Sequence, residues 1–470
     1  MNTCRALGTV VVFFAVAVFA QPPRGGRPPA DEPAAAIQKR QLSNGLVVWI
    51  VEHHDVPIVQ LSLVVLQGTG DDPPGQYGIA SLVSAMLMEG AGSRSSGEIA
   101  YAIDRLKGNL APASGVDSSS LQLHVPVDGL SDALPVMADV ALRPTFPATG
   151  LERVRQERLL TLRQARDDPD AMASLAFSRV VYGTAHRYGT ALIGTADSIS
   201  AFSPDDLRAF YTSAYRPDNA TLIVAGDVVP DDVLKRLETH FGTWRRPGAA
   251  GNVLSPLPTP PDIFRRLVVV DKPDAPQSRI LVGGVGAPRA TPDFFPIQVM
   301  NTVFRARLIA RLGDSAAGVR SGFDMRRSPG PFAAAAAVRA DKTAESLTAM
   351  LDVLTGMRQA VPADELARAK DTAARQLPTF EATGRITARL QSLETLLVYG
   401  LPDKYYSTYT QAVQAVSAAE VQRAAQQYLR PDRLAVVIVG DFGTIAPRIR
   451  PLNLGPITTM TIDEVFAPAR

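Results

Sequence analysis

The stretch RPDNATLIVAGD, residues 216–227, returns 214 positions later as RPDRLAVVIVGD, residues 430–441. In each copy the proline stops the helix expected before it, the apolar run reads as a buried strand, and the Gly-Asp pair turns the chain at its end. Alone, this unit would be structural punctuation. A second landmark accompanies it: Asp55-Val-Pro57 precedes a strand-like run from Ile58 to Leu66, and Asp274-Ala-Pro276 precedes another from Ser278 to Val285, 219 positions on. Two landmarks repeated in order at nearly one offset mean that a whole domain has been duplicated.

Outward from these strands, Leu46–Val51 and Thr221–Ala225 also read as strands, while Ile79–Met88 and Leu151–Arg166 carry apolar residues at helical spacing. Strands and helices mix without strict strand–helix–strand alternation. Each half is therefore expected to be an α+β domain, a mostly antiparallel sheet with helices packed on one face. A chain of 470 residues suits two such units, and 46% hydrophobic with 20% charged residues is the balance of a folded protein. The expected N-terminal domain is 37–245 and the C-terminal domain 264–445, joined by a Pro/Gly-rich linker at 246–263 and followed by a tail at 446–470.

The first residues have the form of a secretory signal: Arg5, an apolar run from Ala6 to Ala20, and small residues at Val18 and Ala20 before a cleavage point. Residues 1–20 are expected to be removed, leaving a flexible lead-in at 21–36 and an exported protein, periplasmic or extracellular, with no membrane span. The single cysteine, Cys4, lies inside that signal, which excludes disulfides and thiolate metal sites from the mature chain. A net charge of +2 without a long basic run argues against nucleic acid as a partner. No G-x-S-x-G elbow or phosphate loop is present, and Gly313, Gly318 and Gly322 read as a flexible loop.

Several segments resemble the bacterial two-domain members of the pitrilysin/insulinase zinc peptidases: LSNGLVV (42–48), GIASLVSAMLMEG (78–90), RPTFP (143–147), the 215–227 unit, Phe323-Asp324, RRSPGPF (326–332) and YGLPDKYY (399–406). The resemblance implies two homologous domains forming half of a clamshell chamber. In such peptidases the first helix carries H-x-x-E-H, whose two histidines share a zinc while the glutamate takes a proton from the metal-bound water. Here the flanking Gly78, Ala80, Met86, Leu87 and Gly90 are in place, but the histidine positions hold Ser81 and Ala85 and the glutamate position holds Ser84. The family's third ligand, a glutamate, falls on Thr161, and a shift of one residue gives Leu160 or Leu162. The five histidines, His53, His54, His124, His186 and His240, offer no pair at helical chelate spacing. The family's C-terminal Arg/Tyr pair falls on Gly313 and Arg320 in one alignment and on a gap and Ala317 in the other. Arg307 and Arg311 could meet a carboxylate, or be exposed arginines of an amphipathic helix.

The expectation is thus a pseudo-peptidase without zinc and without catalytic residues. Resemblance implies a structural or peptide-holding subunit in a hetero-oligomer with a zinc-bearing homologue. A residual zinc metallopeptidase with displaced ligands and a stand-alone exported peptide-binding protein, perhaps a homodimer, are the other readings. Peptides in this family add as a strand to a sheet edge, which here would be Asn109, Leu110, Ala111, Pro112 and Ala113. Pro112 removes one backbone donor from that edge.

Overall fold

The computed structural model describes residues 36–245, 257–375 and 385–467. The signal at 1–20, the lead-in to residue 35 and linker residues 246–256 lie outside the described residues.

The N-terminal half supplies strands β1 (Gln38–Gln41), β2 (Val47–Glu52), β3 (Ile58–Val65), β4 (Asn109–Ser114), β5 (Ser119–Pro126) and β6 (Ala220–Gly226). They form one sheet in the order β1-β2-β6-β3-β5-β4, antiparallel except where β2 and β6 run together. Its main helices are α1 (Ile79–Met86), α2 (Leu130–Leu142), α3 (Ala148–Ala165), α4 (Pro169–Tyr182), α5 (Pro204–Ala214) and α6 (Pro230–Phe241).

The C-terminal half repeats the plan with β7 (Arg266–Asp271), β8 (Gln277–Val285), β9 (Ala316–Phe323), β10 (Pro331–Arg339), β11 (Ala435–Gly440) and β12 (Ile457–Met460). Read as β12-β7-β11-β8-β10-β9, its order matches the first sheet over the five strands from β7 to β9, while the edge strand differs: β1 comes first in its half and runs antiparallel to β2, whereas β12 comes last and runs parallel to β7. The quoted repeat supplies β6 and β11, which occupy equivalent central places. Gly226 ends β6 at φ +138, where an added Cβ would lie 2.2 Å from the Ile58 carbonyl oxygen, so the turn there requires glycine. Helices α7 (Phe294–Leu312), α8 (Thr343–Gly356), α9 (Ala363–Arg375), α10 (Arg385–Tyr399), α11 (Ala418–Tyr428) and α12 (Ile462–Phe466) follow in this half.

Alternation along the strands sorts their side chains onto two faces. In the first sheet Val48, Ile50, Leu61, Leu63, Leu222 and Val224 face a core built with α1, α2, α5 and α6. The opposite residues Trp49, Val51, Val64, Ile223 and Ala225 are buried as well, under Ile386, Leu390, Leu393 and Leu396 of α10. The second sheet reciprocates: Val268, Val270, Leu281, Val437 and Val439 pack under Met172, Ala176, Phe177 and Val180 of α4. Each half therefore lends one helix to the sheet of the other. This double coverage explains why β6 and β11 read as unbroken apolar runs.

Two expectations are corrected. Residues 446–467 do not form a tail, since β12 pairs parallel to β7 and Val465 of α12 is buried in the α4 layer. Gly313, Gly318 and Gly322 do not form one loop. Gly313 ends α7 at φ +50, while Gly318 and Gly322 lie within β9, whose register against β10 shifts between Ala317 and Arg320. A strand broken by a bulge on a sheet edge loses the alternation that would mark it in sequence.

Candidate functional site

Helix α1 begins at Gly78, whose φ of +94 and close approach to the Ile193 carbonyl, 2.4 Å from an added Cβ, leave room only for glycine. Its first turn is capped by the carboxylate of Asp72, which accepts from the Gly78 amide at 2.6 Å and the Ala80 amide at 3.0 Å. Burial pushes the Asp72 carboxyl up, while Arg187 at 2.8 Å and the two amides oppose the shift. The helix is thereby locked against the 187–194 segment.

On this helix Ser81 and Ser84 are buried, and Ala85 packs partly buried against the core. Ser81 Oγ donates to the Gly78 carbonyl at 3.0 Å and accepts from Arg158 Nη1 at 2.8 Å, while Arg158 Nη2 donates to the Ser81 carbonyl at 2.7 Å. Burial lowers the Arg158 guanidinium to about 10, against the opposing charges of Asp72 and Glu157. It remains a cation at neutral pH. Thr161, one turn further along α3, is half-buried and turns its hydroxyl back onto the Glu157 carbonyl at 2.9 Å. Leu160 is exposed and Leu162 is buried beside Ile193 and Ile199.

These residues do not fit zinc. The positions offer two hydroxyls, a methyl group and a threonine already bonded within its helix, and a buried cation lies against the first of them. Among the described residues, no three histidine, cysteine, aspartate or glutamate side chains are grouped to hold a metal ion. Three of the five histidines have other hydrogen-bonding partners. His54 Nδ1 lies 2.7 Å from Asp227, His124 pairs with Gln60, and His186 bonds the Tyr188 amide and the Pro258 carbonyl.

In the C-terminal half, Arg320 lies 3.7 Å from Asp170 at the start of α4, and Ala317 sits opposite Ala337 in the sheet. Arg307 forms an ion pair within the chain, with Glu365 on α9, through two bonds of 2.8 and 2.6 Å. Arg311 is exposed in the last turn of α7.

The expected peptide edge is an edge. Among the described residues strand β4 pairs only with β5, and Asn109, Leu110, Ala111, Pro112 and Ala113 lie opposite His124, Leu123, Gln122, Leu121 and Ser120. The Gly115 amide bonds the Ser118 carbonyl at the hairpin. Strict alternation from that pair turns the backbone groups of Leu110, Pro112 and Ser114 to the open side. The donor that Pro112 lacks is therefore one the edge would have offered a guest strand.

What the sequence did not disclose is a buried polar knot joining the halves. Arg327, between β9 and β10, reaches Asp71 at 2.7 Å and Asp117 at 3.3 Å, and Tyr399 of α10 donates to Asp117 at 3.1 Å. Asp71 and Asp72 are adjacent acids in a loop, and no spacing rule announces their partners.

Two family models match. Residues 47–194 match Insulinase (Peptidase family M16), and residues 201–373 match the Peptidase M16 inactive domain. The chain belongs to peptidase family M16, the insulinase family. An uncharacterized zinc protease of Mycobacterium tuberculosis is 27% identical over 434 residues, 89% of this chain and 96% of that protein. One of Bacillus subtilis is 24% identical over 59% of this chain and 66% of its own length. Among solved structures, the peptidase M16 inactive domain from Pseudomonas fluorescens superposes with a TM-score of 0.79 at 24% identity, covering 86% of this chain and 98% of that one. The first half of the periplasmic protease PqqL from Escherichia coli gives 0.73 at 18% identity, covering 90% and 96%. The intact PqqL chain is covered over 49% of its length. Among the described residues no helix is long and apolar enough to cross a membrane.

Proposed function

We propose that this M16 protein is a zinc-free, non-catalytic member of its family that serves as a structural or peptide-holding subunit beside a zinc-bearing homologue. The observation that carries the reading is the Ser81–Arg158 contact: the first ligand position is a buried serine held by a guanidinium. Ser84, Ala85 and Thr161 add no ligand, Gly313 and Ala317 add no side-chain donor for a reacting carbonyl, and Arg320 is turned to Asp170. The scaffold is otherwise complete, including a sheet edge at Asn109–Ala113. A second copy of this plan has a natural place, because this chain corresponds to about half of a longer periplasmic protease of the same fold. That relative also supports export of this chain to the periplasm or medium by the signal at 1–20.

The names of the sequence relatives favour the other reading, a residual zinc protease. Metal analysis and co-purification from the native host separate the two. The proposal expects no stoichiometric zinc in the isolated chain and capture of an H-x-x-E-H homologue. One zinc per chain that survives dialysis sinks it. A zinc-free chain that recovers no homologue leaves a stand-alone binding protein or a homodimer in its place.

A further inference from the structure

A second concavity lies on the N-terminal half and shares no lining residue with the degenerate site. It is a cleft of about 700 Å³ between α2, α5 and the end of α6. That volume falls in the range of small-molecule sites. Pro135, Ala138, Leu142 and Trp244 give it apolar wall, while Arg94, Arg143, Arg245 and His240 bring positive or protonatable groups.

Among the described residues one carboxylate lines the cleft, that of Asp139. Its side chain is 11% exposed, and both its oxygens are engaged, by Arg94 Nε at 3.1 Å and by Arg143 Nη2. Asp139 thus fixes the two guanidiniums in place and offsets one of them. A guanidinium has five N–H donors, so each keeps several to spare, and Arg94 and Arg143 remain 35% and 69% exposed. An Arg–Asp–Arg clamp for stability alone would account for these two arginines. It would not account for Arg245 or for an apolar wall beside a surplus of positive charge. Low-dielectric walls strengthen the field of such a cluster on an anion.

We propose that this cleft binds a small organic oxyanion, a phosphate ester or carboxylate carried on an apolar body. The anionic group would engage the spare donors of Arg94, Arg143 and Arg245, and the body would lie along Leu142 and Trp244. Arginine suits this role because its fork meets two oxygens of a phosphate or carboxylate at once.

Calorimetric titration of the full chain with phenyl phosphate, benzoate and inorganic phosphate at physiological ionic strength tests the site. One saturating site for phenyl phosphate or benzoate is expected, with inorganic phosphate weaker. Arg245→Gln, at an exposed position, and Arg143→Gln are each expected to weaken binding by about three- to tenfold without changing the circular dichroism spectrum. A comparable loss in the Arg245→Gln variant alone suffices if Arg143→Gln disturbs the fold. Absence of saturable binding by both organic anions, or binding that neither variant changes, overturns the site. Inorganic phosphate binding as tightly as both would remove the apolar body from the proposal. None of these outcomes depends on zinc or on a partner chain, so the site stands or falls apart from the subunit role.

Discussion

Arg158 holds Ser81 at two points, donating from Nη1 to the hydroxyl and from Nη2 to the carbonyl of the same residue. The contact ties α3 to the helix that carries the degenerate positions, and it gives a buried guanidinium two acceptors on one residue. Replacement by methionine keeps much of the volume and removes the donors. Arg158→Met is expected to lower stability by about 1–3 kcal/mol, because the Ser81 carbonyl loses a buried partner. Chemical denaturation measures this, and an unchanged midpoint would mean that the bonds contribute nothing net.

The same contact bears on rebuilding a metal site. A fourfold variant, Ser81→His, Ser84→Glu, Ala85→His and Thr161→Glu, places two imidazoles one turn apart on α1 with a carboxylate on α3. Ser81 is only 8% exposed, so an imidazole there crowds Arg158. Without metal the variant is expected to melt below the parent, and with one zinc per chain it should recover part of that loss. Peptide cleavage should stay poor, because Gly313 and Ala317 carry no side-chain donor, Arg320 faces Asp170, and one oxyanion donor alone can be worth about a hundredfold. A folded variant whose melting ignores zinc would show that the four positions do not converge.

Much of this architecture is legible in the residues. The repeat at 216–227 and 430–441 marks equivalent central strands because buried β-branched runs ending in Gly-Asp have few other uses. The loss at Ser81, Ser84 and Ala85 is readable because i, i+4 spacing on one helix is a local property. The exchange of α4 and α10 between the halves is not, since an amphipathic helix shows only that it has an apolar face and not which sheet covers it. Arg158 escaped for a related reason: in sequence it is one more charged residue in a helix rich in Arg and Glu. Only its burial distinguishes it from Arg153, which is exposed and pairs with Glu89 and Glu157.

His186 gives the fold a pH dependence with a definite sign. One ring nitrogen accepts from the Tyr188 amide at 3.0 Å and the other meets the Pro258 carbonyl at 2.9 Å, an arrangement that suits the neutral ring. Burial depresses its pKa below the ordinary value, with the Pro258 carbonyl opposing and Arg326 reinforcing the shift. The unfolded chain therefore takes up a proton at about pH 6.5 while the folded chain resists, and stability present above that pH is lost as pH falls below it. His186→Gln is expected to flatten this part of the stability profile relative to the parent as pH falls below about 6.5. Parallel profiles for the two proteins would assign the slope to other groups.

The exchanged helices set the strongest demand on the chain as a whole. With α10 absent, Trp49, Val51, Val64, Ile223 and Ala225 lose their cover, and with α4 absent Val268, Val270, Val437 and Val439 lose theirs. Exposed apolar faces of this kind on open sheets promote association between chains. The fragments 37–245 and 257–467 are therefore expected to aggregate or to expose dye-binding surface when made separately, and to form a soluble one-to-one complex when produced together. A milder version leaves the chain intact: Leu393→Ala, at a position 4% exposed within the α10 layer, should cost about 2–5 kcal/mol. Because that residue belongs to one half and packs on the other, the loss should appear as earlier proteolysis of both halves rather than of the C-terminal half alone. Two soluble, separately folded fragments with native melting behaviour would show that each half closes its own sheet, and that the exchange adds little to stability.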